Sequence, residues 1–151
     1  MKRLTFLTLT ILVTFGFCSL PQYKAAKQIT ADTITRVEMN LSDFGVESDD
    51  FPSIAVLIDF ITDSSVCKKS YSNPEFKPST YKLSNTEIKK VLQLLQACDL
   101  DKLKTDYKVA MTDQPTSTAK IYTTQKTYVI KDYGLKGDYP LKELYEIVYK
   151  L

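Results

Sequence analysis

Between Ser117 and Thr123 apolar and polar residues alternate. Ala119, Ile121 and Thr123 fall on one side, and Thr118, Lys120 and Tyr122 on the other. Three polar residues later TYVIKDY runs from Thr127 to Tyr133. A period of two is the pattern of a half-buried strand, and β-branched and aromatic side chains suit the second run to the same role. Two such runs across so short a break read as a β-hairpin, although Thr124-Gln125-Lys126 lacks the Asn-Gly or Asp-Gly turn signal. A chain ending this way is committed to a sheet with one buried face and to antiparallel pairing within it.

The residues around the hairpin extend the pattern. Asp113-Gln114-Pro115 reads as a turn, with φ fixed at Pro115 and an Asp113 carboxylate free to bond the backbone two residues on. Gly134 and Gly137 mark the exit loop. Pro140 suits the first position of a helix, where its missing N–H costs nothing. Leu141, Leu144, Tyr145, Val148 and Leu151 then recur at helical spacing, predicting a helix that runs to the chain end and lies on the sheet as a lid.

Upstream, Thr33 to Leu41 alternates, with Thr35, Val37, Met39 and Leu41 facing one way and Ile34, Arg36, Glu38 and Asn40 the other. That is a strand with one wet face. Ser42 to Pro52 is a loop. Ser53 to Ile61, the most hydrophobic run after the leader, is expected to be the central strand, with Val66 to Tyr71 returning from it. Two prolines between Asn73 and Pro78 stop a ladder. Ser84-Asn85-Thr86-Glu87 has the spacing of a capping box. Ile88, Val91, Leu92 and Leu95 follow at i, i+3, i+4 and i+7, predicting a helix over Asn85 to Ala97. Asp99 is expected to cap a further short turn. The predicted order is β-β-β-α-(short α)-β-β-α: an α+β fold with an antiparallel sheet of about five strands and helices on one face.

The first residues belong to a different kind of sequence. Met1-Lys2-Arg3 precedes an uncharged apolar run from Leu4 to Phe17, the form of a secretory leader. The run is too short to span a bilayer. The expected organisation is a signal peptide over 1–18, a polar tether over 19–32 and one α+β domain over 33–151. Cys18 stands where a lipoprotein leader places its lipidated cysteine, although Phe17 takes a position such leaders give to a small residue. Both lipidation and ordinary cleavage remain open on these residues. Removal of Lys2 and Arg3 would leave eighteen basic residues against eighteen acidic ones. A neutral domain with no basic run has no electrostatic footprint for nucleic acid. Membrane attachment is expected only through an N-terminal lipid or an uncleaved leader.

Little in the chain looks like chemistry. It has no histidine, so His-paired nucleophiles are excluded. Zinc would need more ligands than Cys67 and Cys98 provide. No glycine pattern cradles phosphate, and no cofactor is expected. Asp49 with Asp50, and Asp99 with Asp101, read as solvated loop acids and a helix cap. Cys67 and Cys98, ending a strand and a helix, are candidates for a disulfide if the domain is exported, or for two buried thiols. Tyr122, Tyr128 and Tyr133, around the hairpin, are the candidate binding surface, since tyrosine joins apolar area to a hydroxyl.

The segment from Ile34 to Leu151 resembles an uncharacterised family of exported bacterial domains, often on lipoproteins and classed only as a domain of unknown function. The likeness rests on Leu83-Ser84-Asn85-Thr86-Glu87-Ile88, on Leu103 to Tyr107, and on the turn Asp113-Gln114-Pro115-Thr116. It rests further on Val129-Ile130-Lys131-Asp132-Tyr133-Gly134 and on Pro140 with Leu141 and Leu144. Asp113, Pro115, Asp132 and Gly134 are thus the motif's turn residues. Many members carry a Cys-Phe-Gly-x-Cys-Pro element, whereas Asp43 to Ser48 here keeps Phe44-Gly45 without either cysteine. The resemblance implies fold and export but no activity.

The reading favoured by these residues is a non-catalytic domain of the cell envelope that binds a protein or envelope component, as a monomer or weak homodimer. The alternatives are a small secreted enzyme inhibitor and a carboxylate-dependent enzyme using Asp113 and Asp132.

Overall fold

The chain forms β1 (Ile34–Ser42), β2 (Ser53–Asp59), β3 (Ser64–Ser70), β4 (Ser79–Tyr81), α1 (Asn85–Ala97), a single 3-10 turn (Leu100–Lys102), β5 (Asp106–Lys108), β6 (Thr116–Thr123), β7 (Thr127–Tyr133) and α2 (Leu141–Val148). The structure is a computed structural model that describes residues 32–43, 46, 48 and 50–151. The predicted leader, Cys18 and the tether as far as residue 31 lie outside the described residues, as do Phe44, Gly45, Glu47 and Asp49. Among the described residues no helix is long and apolar enough to cross a membrane.

The strands make one sheet in the order β4-β3-β2-β1-β6-β7-β5. It is α+β and mostly antiparallel, as the alternation predicts, but it has seven strands where the sequence predicts about five. The two additional strands, β4 and β5, are three-residue edges. Neither is long enough to show a period. Each exists because a neighbour offers it unpaired backbone: β4 pairs antiparallel with β3, and β5 pairs parallel with β7.

The centre of the sheet is β1, not β2. β1 pairs antiparallel with β2 on one side and β6 on the other, and it buries Val37, Met39 and Leu41. The hydrophobic run over β2 is misleading because it is apolar on both faces. Ile54, Val56 and Ile58 are buried, while Ala55 and Leu57 are exposed. Ile34 also departs from the alternation. A register shift between Ile34 and Arg36 turns Ile34 inward, to 8 % exposure. Bulges reorient side chains in just this way.

The β6–β7 hairpin forms with the three-residue break predicted for it. The Thr123 hydroxyl replaces the missing turn signal: it accepts from Lys126 N at 3.0 Å and Gln125 N at 3.3 Å, and Thr123 N donates to Lys126 O at 2.9 Å.

α1 has the predicted boundaries and the predicted capping box. Glu87 N donates to Ser84 Oγ at 3.3 Å, and Ser84 N donates to Glu87 Oε2 at 2.7 Å. α2 begins one residue later than predicted, with Pro140 at the cap, and stops at Val148, leaving Leu151 exposed. Its Leu141, Leu144, Tyr145 and Val148 are buried. These side chains form one core with α1 and the inward residues of the sheet. Both helices therefore cover the same face, and among the described residues the other face of the sheet carries none.

Candidate functional site

The tyrosines do not assemble. Tyr128 lies opposite Ile121, on the helix-covered face, whereas Tyr122 and Tyr133 lie on the other face. Tyr122 and Tyr133 sit near opposite ends of the hairpin, about 20 Å apart at 3.4 Å per residue. Each is occupied locally. The Tyr122 hydroxyl donates to Glu38 Oε2 at 2.9 Å, under the Arg36 guanidinium 4.1 Å from its ring. The Tyr128 hydroxyl donates to Asp101 Oδ1 at 3.3 Å, and the Tyr133 hydroxyl accepts from Gln114 N. Strand periodicity separates what proximity in sequence suggested.

The motif residues shape backbone. Asp132 is fully buried. Its Oδ1 accepts from Lys136 N at 2.7 Å, and its Oδ2 from Gly137 N at 2.7 Å and the Tyr145 hydroxyl at 2.8 Å. The carboxylate thus ties the exit loop to α2, with no face open to a substrate. Gly137 permits this, since a Cβ there would stand 2.8 Å from Asp132 Oδ2 and 2.5 Å from Leu141. Gly134 has φ +86°, and a Cβ would meet Val109 at 2.4 Å, so the approach of the chain beyond β5 requires glycine on both counts. Gly134 N donates to Pro115 O at 2.8 Å, joining two motif positions. Asp113 cannot bond the backbone two residues on, because that residue is Pro115 and has no N–H. It takes a left-handed φ of 59° instead and is exposed. Asp113 and Asp132 are therefore not brought together as an acid–base pair.

Cys67 and Cys98 are free thiols, not a disulfide. Cys67 is wholly buried opposite Val56 and Tyr81. α1 starts beside β3, where Leu83 N donates to Ser65 Oγ, and its thirteen residues carry Cys98 about 20 Å away. There Cys98 lies among Ile34, Leu95 and Tyr128, and its thiol donates to Leu95 O at 3.3 Å. Burial raises the pKa of both thiols above the ordinary range, which keeps them protonated and poor nucleophiles. Asp99 caps the 3-10 turn as predicted, Asp101 pairs with Lys126, and Asp50 accepts from the Ser48 hydroxyl. Among the described residues no three His, Cys, Asp or Glu side chains cluster as a metal site.

What the fold leaves open is the helix-free face. One register row across it reads Lys68, Ala55, Asn40, Thr118, Lys131, from β3 to β7. The next reads Val66, Leu57, Glu38, Lys120, Val129. Leu57, Val66 and Val129 are 41 %, 44 % and 48 % exposed. The short side chains of Ala55, Asn40 and Thr118 leave a trough between longer neighbours. It consists of two adjoining hollows of about 370 and about 1060 Å³ that share Asn40, Ala55, Lys68 and Thr118. The hydroxyls of Ser42, Ser53, Ser70 and Thr116 line its far end. Asp43 fixes one of these, accepting from Ser53 Oγ at 2.6 Å and from Ser72 Oγ at 2.7 Å. These hydrogen bonds lower the Asp43 pKa below the usual carboxylate value. The signal for this surface was present in the sequence: Leu57 and Val66 are apolar residues at wet-face positions of alternating strands.

A family model described as a domain of unknown function, DUF6438, matches residues 69–151, more than half of the chain. The match begins inside β3, so β1, β2 and the trough residues Glu38, Asn40, Ala55, Leu57, Val66 and Lys68 precede it. No curated protein and no solved structure matches the chain.

Proposed function

Since the chain belongs to this family of domains of unknown function, DUF6438, we propose a role from its own surface: a non-catalytic, exported binding module of the cell envelope that contacts its ligand through the helix-free face of the sheet. Export rests on the basic and apolar leader at residues 1–18. The observation that carries the binding role is the trough beside half-exposed Leu57 and Val66. Antiparallel sheets commonly leave one face to solvent, but that face is then polar. A depression bordered by apolar side chains and convergent polar groups is the usual form of a binding site.

Site-specific photocrosslinking in intact cells tests this reading. A photoreactive residue is placed at Leu57, or at Lys89 on the exposed side of α1, in a C-terminally tagged full chain. Adducts are then identified by mass spectrometry of the envelope fraction. A discrete adduct from position 57 and none from position 89 is the expected outcome. Equal capture from both positions, or none from position 57, would overturn it.

A further inference from the structure

Resting on that reading, we infer that the trough takes a small anionic amphiphile: a short apolar chain lying on Leu57 and Val66, with a phosphate or carboxylate head held between Lys68 and Lys120. The apolar half follows from register. Leu57 and Val66 are direct cross-strand partners, so their exposed surfaces form one shelf, with Ala55 beside it on the floor.

The charged half follows from a pairing that the fold does not make. Lys120 lies directly opposite Glu38, the arrangement in which opposite charges across strands normally pair. Here the Glu38 carboxylate is turned to the neighbouring row. Its Oε1 stands 3.4 Å from Arg36 Nε, and its Oε2 accepts from the Tyr122 hydroxyl. Lys120 is left without an ion pair among the described residues, as is Lys68. The two lysines are three strand spacings apart across the sheet and one row apart along it, about 16 Å between backbones. Their four-carbon stems rise from opposite sides of a floor made of Ala55 and Asn40. An anion over that floor would meet both ammonium groups. A neutral chain would leave them unused, and a cation would be repelled. Tyr122 and Arg36 are positioning residues in this scheme, since they keep Glu38 from neutralising Lys120.

The test is a titration of the ¹⁵N-labelled full chain, purified without detergent, followed by NMR. The probes are octyl phosphate, octanol, octylammonium and inorganic phosphate. Octyl phosphate should shift the amides of Leu57, Val66, Lys68 and Lys120 saturably. Exposed charge pairs are weak, so its preference over octanol should be roughly fivefold to twentyfold, shrinking as salt is raised. The double variant Lys68→Gln/Lys120→Gln should melt as the parent does and lose that preference. Arg36→Gln, which releases Glu38 toward Lys120, should reduce it about twofold to threefold.

Equal affinity for octanol and octyl phosphate would overturn the assignment. So would binding of inorganic phosphate as tight as that of octyl phosphate, or shifts confined to the helices. If the same amides shift on concentrating the protein alone, the face is occupied by a second copy. If position 57 crosslinks to a protein while octyl phosphate shifts nothing, the amphiphile is wrong and the binding module stands. Failure of both experiments would remove both.

Discussion

Asp132 illustrates how far a residue's role can differ from its chemistry. A carboxylate beside a glycine loop is a natural candidate for acid–base work. Here both of its oxygens accept hydrogen bonds, from Lys136 N, Gly137 N and the Tyr145 hydroxyl. Asp132→Ala strands two buried donors, Gly137 N and the Tyr145 hydroxyl, and the part-buried Lys136 N, each buried one costing about 1–3 kcal/mol. We expect a loss of about 4 kcal/mol in urea denaturation, against about 1 kcal/mol for Tyr145→Phe. A loss below about 1 kcal/mol for Asp132→Ala would mean that the loop does not depend on this carboxylate. The sequence placed Asp132 at a strand end beside a turn, and that much was legible. Its inward direction depends on which face of β7 meets the helices, and its hydroxyl partner lies thirteen residues on.

At the scale of elements, α1 was the most legible part of the chain because its signals are local. The capping box spans four residues and the apolar stripe follows at once. One contact of that cap is not local. Lys150 Nζ lies 2.8 Å from Glu87 Oε1, and with the Ser84 hydrogen bonds it lowers the Glu87 pKa from 4.5 to about 2. A folded-state pKa below the unfolded one contributes stability above the unfolded value, and this is lost as pH falls through the folded value. Glu87 is 32 % exposed, so solvent screening reduces the effect to about 1 kcal/mol. Glu87→Gln should therefore cost about 1 kcal/mol near neutral pH, and the difference from the parent should vanish between about pH 5 and pH 2. Denaturation midpoints across that range check it; a constant difference would contradict the assignment. The edge strands β4 and β5 are the opposite case. Three residues carry no period, and only the neighbouring strand gives them a reason to be extended.

For the whole molecule, the separation of Cys67 from Cys98 by the length of α1 predicts a domain indifferent to reductant, even in an oxidising compartment. Its melting temperature should be the same with and without dithiothreitol. A downward shift on reduction, or an intact mass lacking two hydrogens, would restore the disulfide. The sequence by itself determined the class of fold, the hairpin, α1 and its cap, and the inward residues Val37, Met39 and Leu41 of β1 and Ala119 and Ile121 of β6. Those features rest on interactions within a few residues or on a simple period. Tertiary structure alone decided that β1 is central, that Tyr122 and Tyr128 face apart, and that Lys120 is denied Glu38. It also decided that Leu57 and Val66 meet as cross-strand partners in one exposed shelf. Each of these depends on strand order and register, which bring together residues far apart in the chain, and no local pattern of residues encodes that pairing.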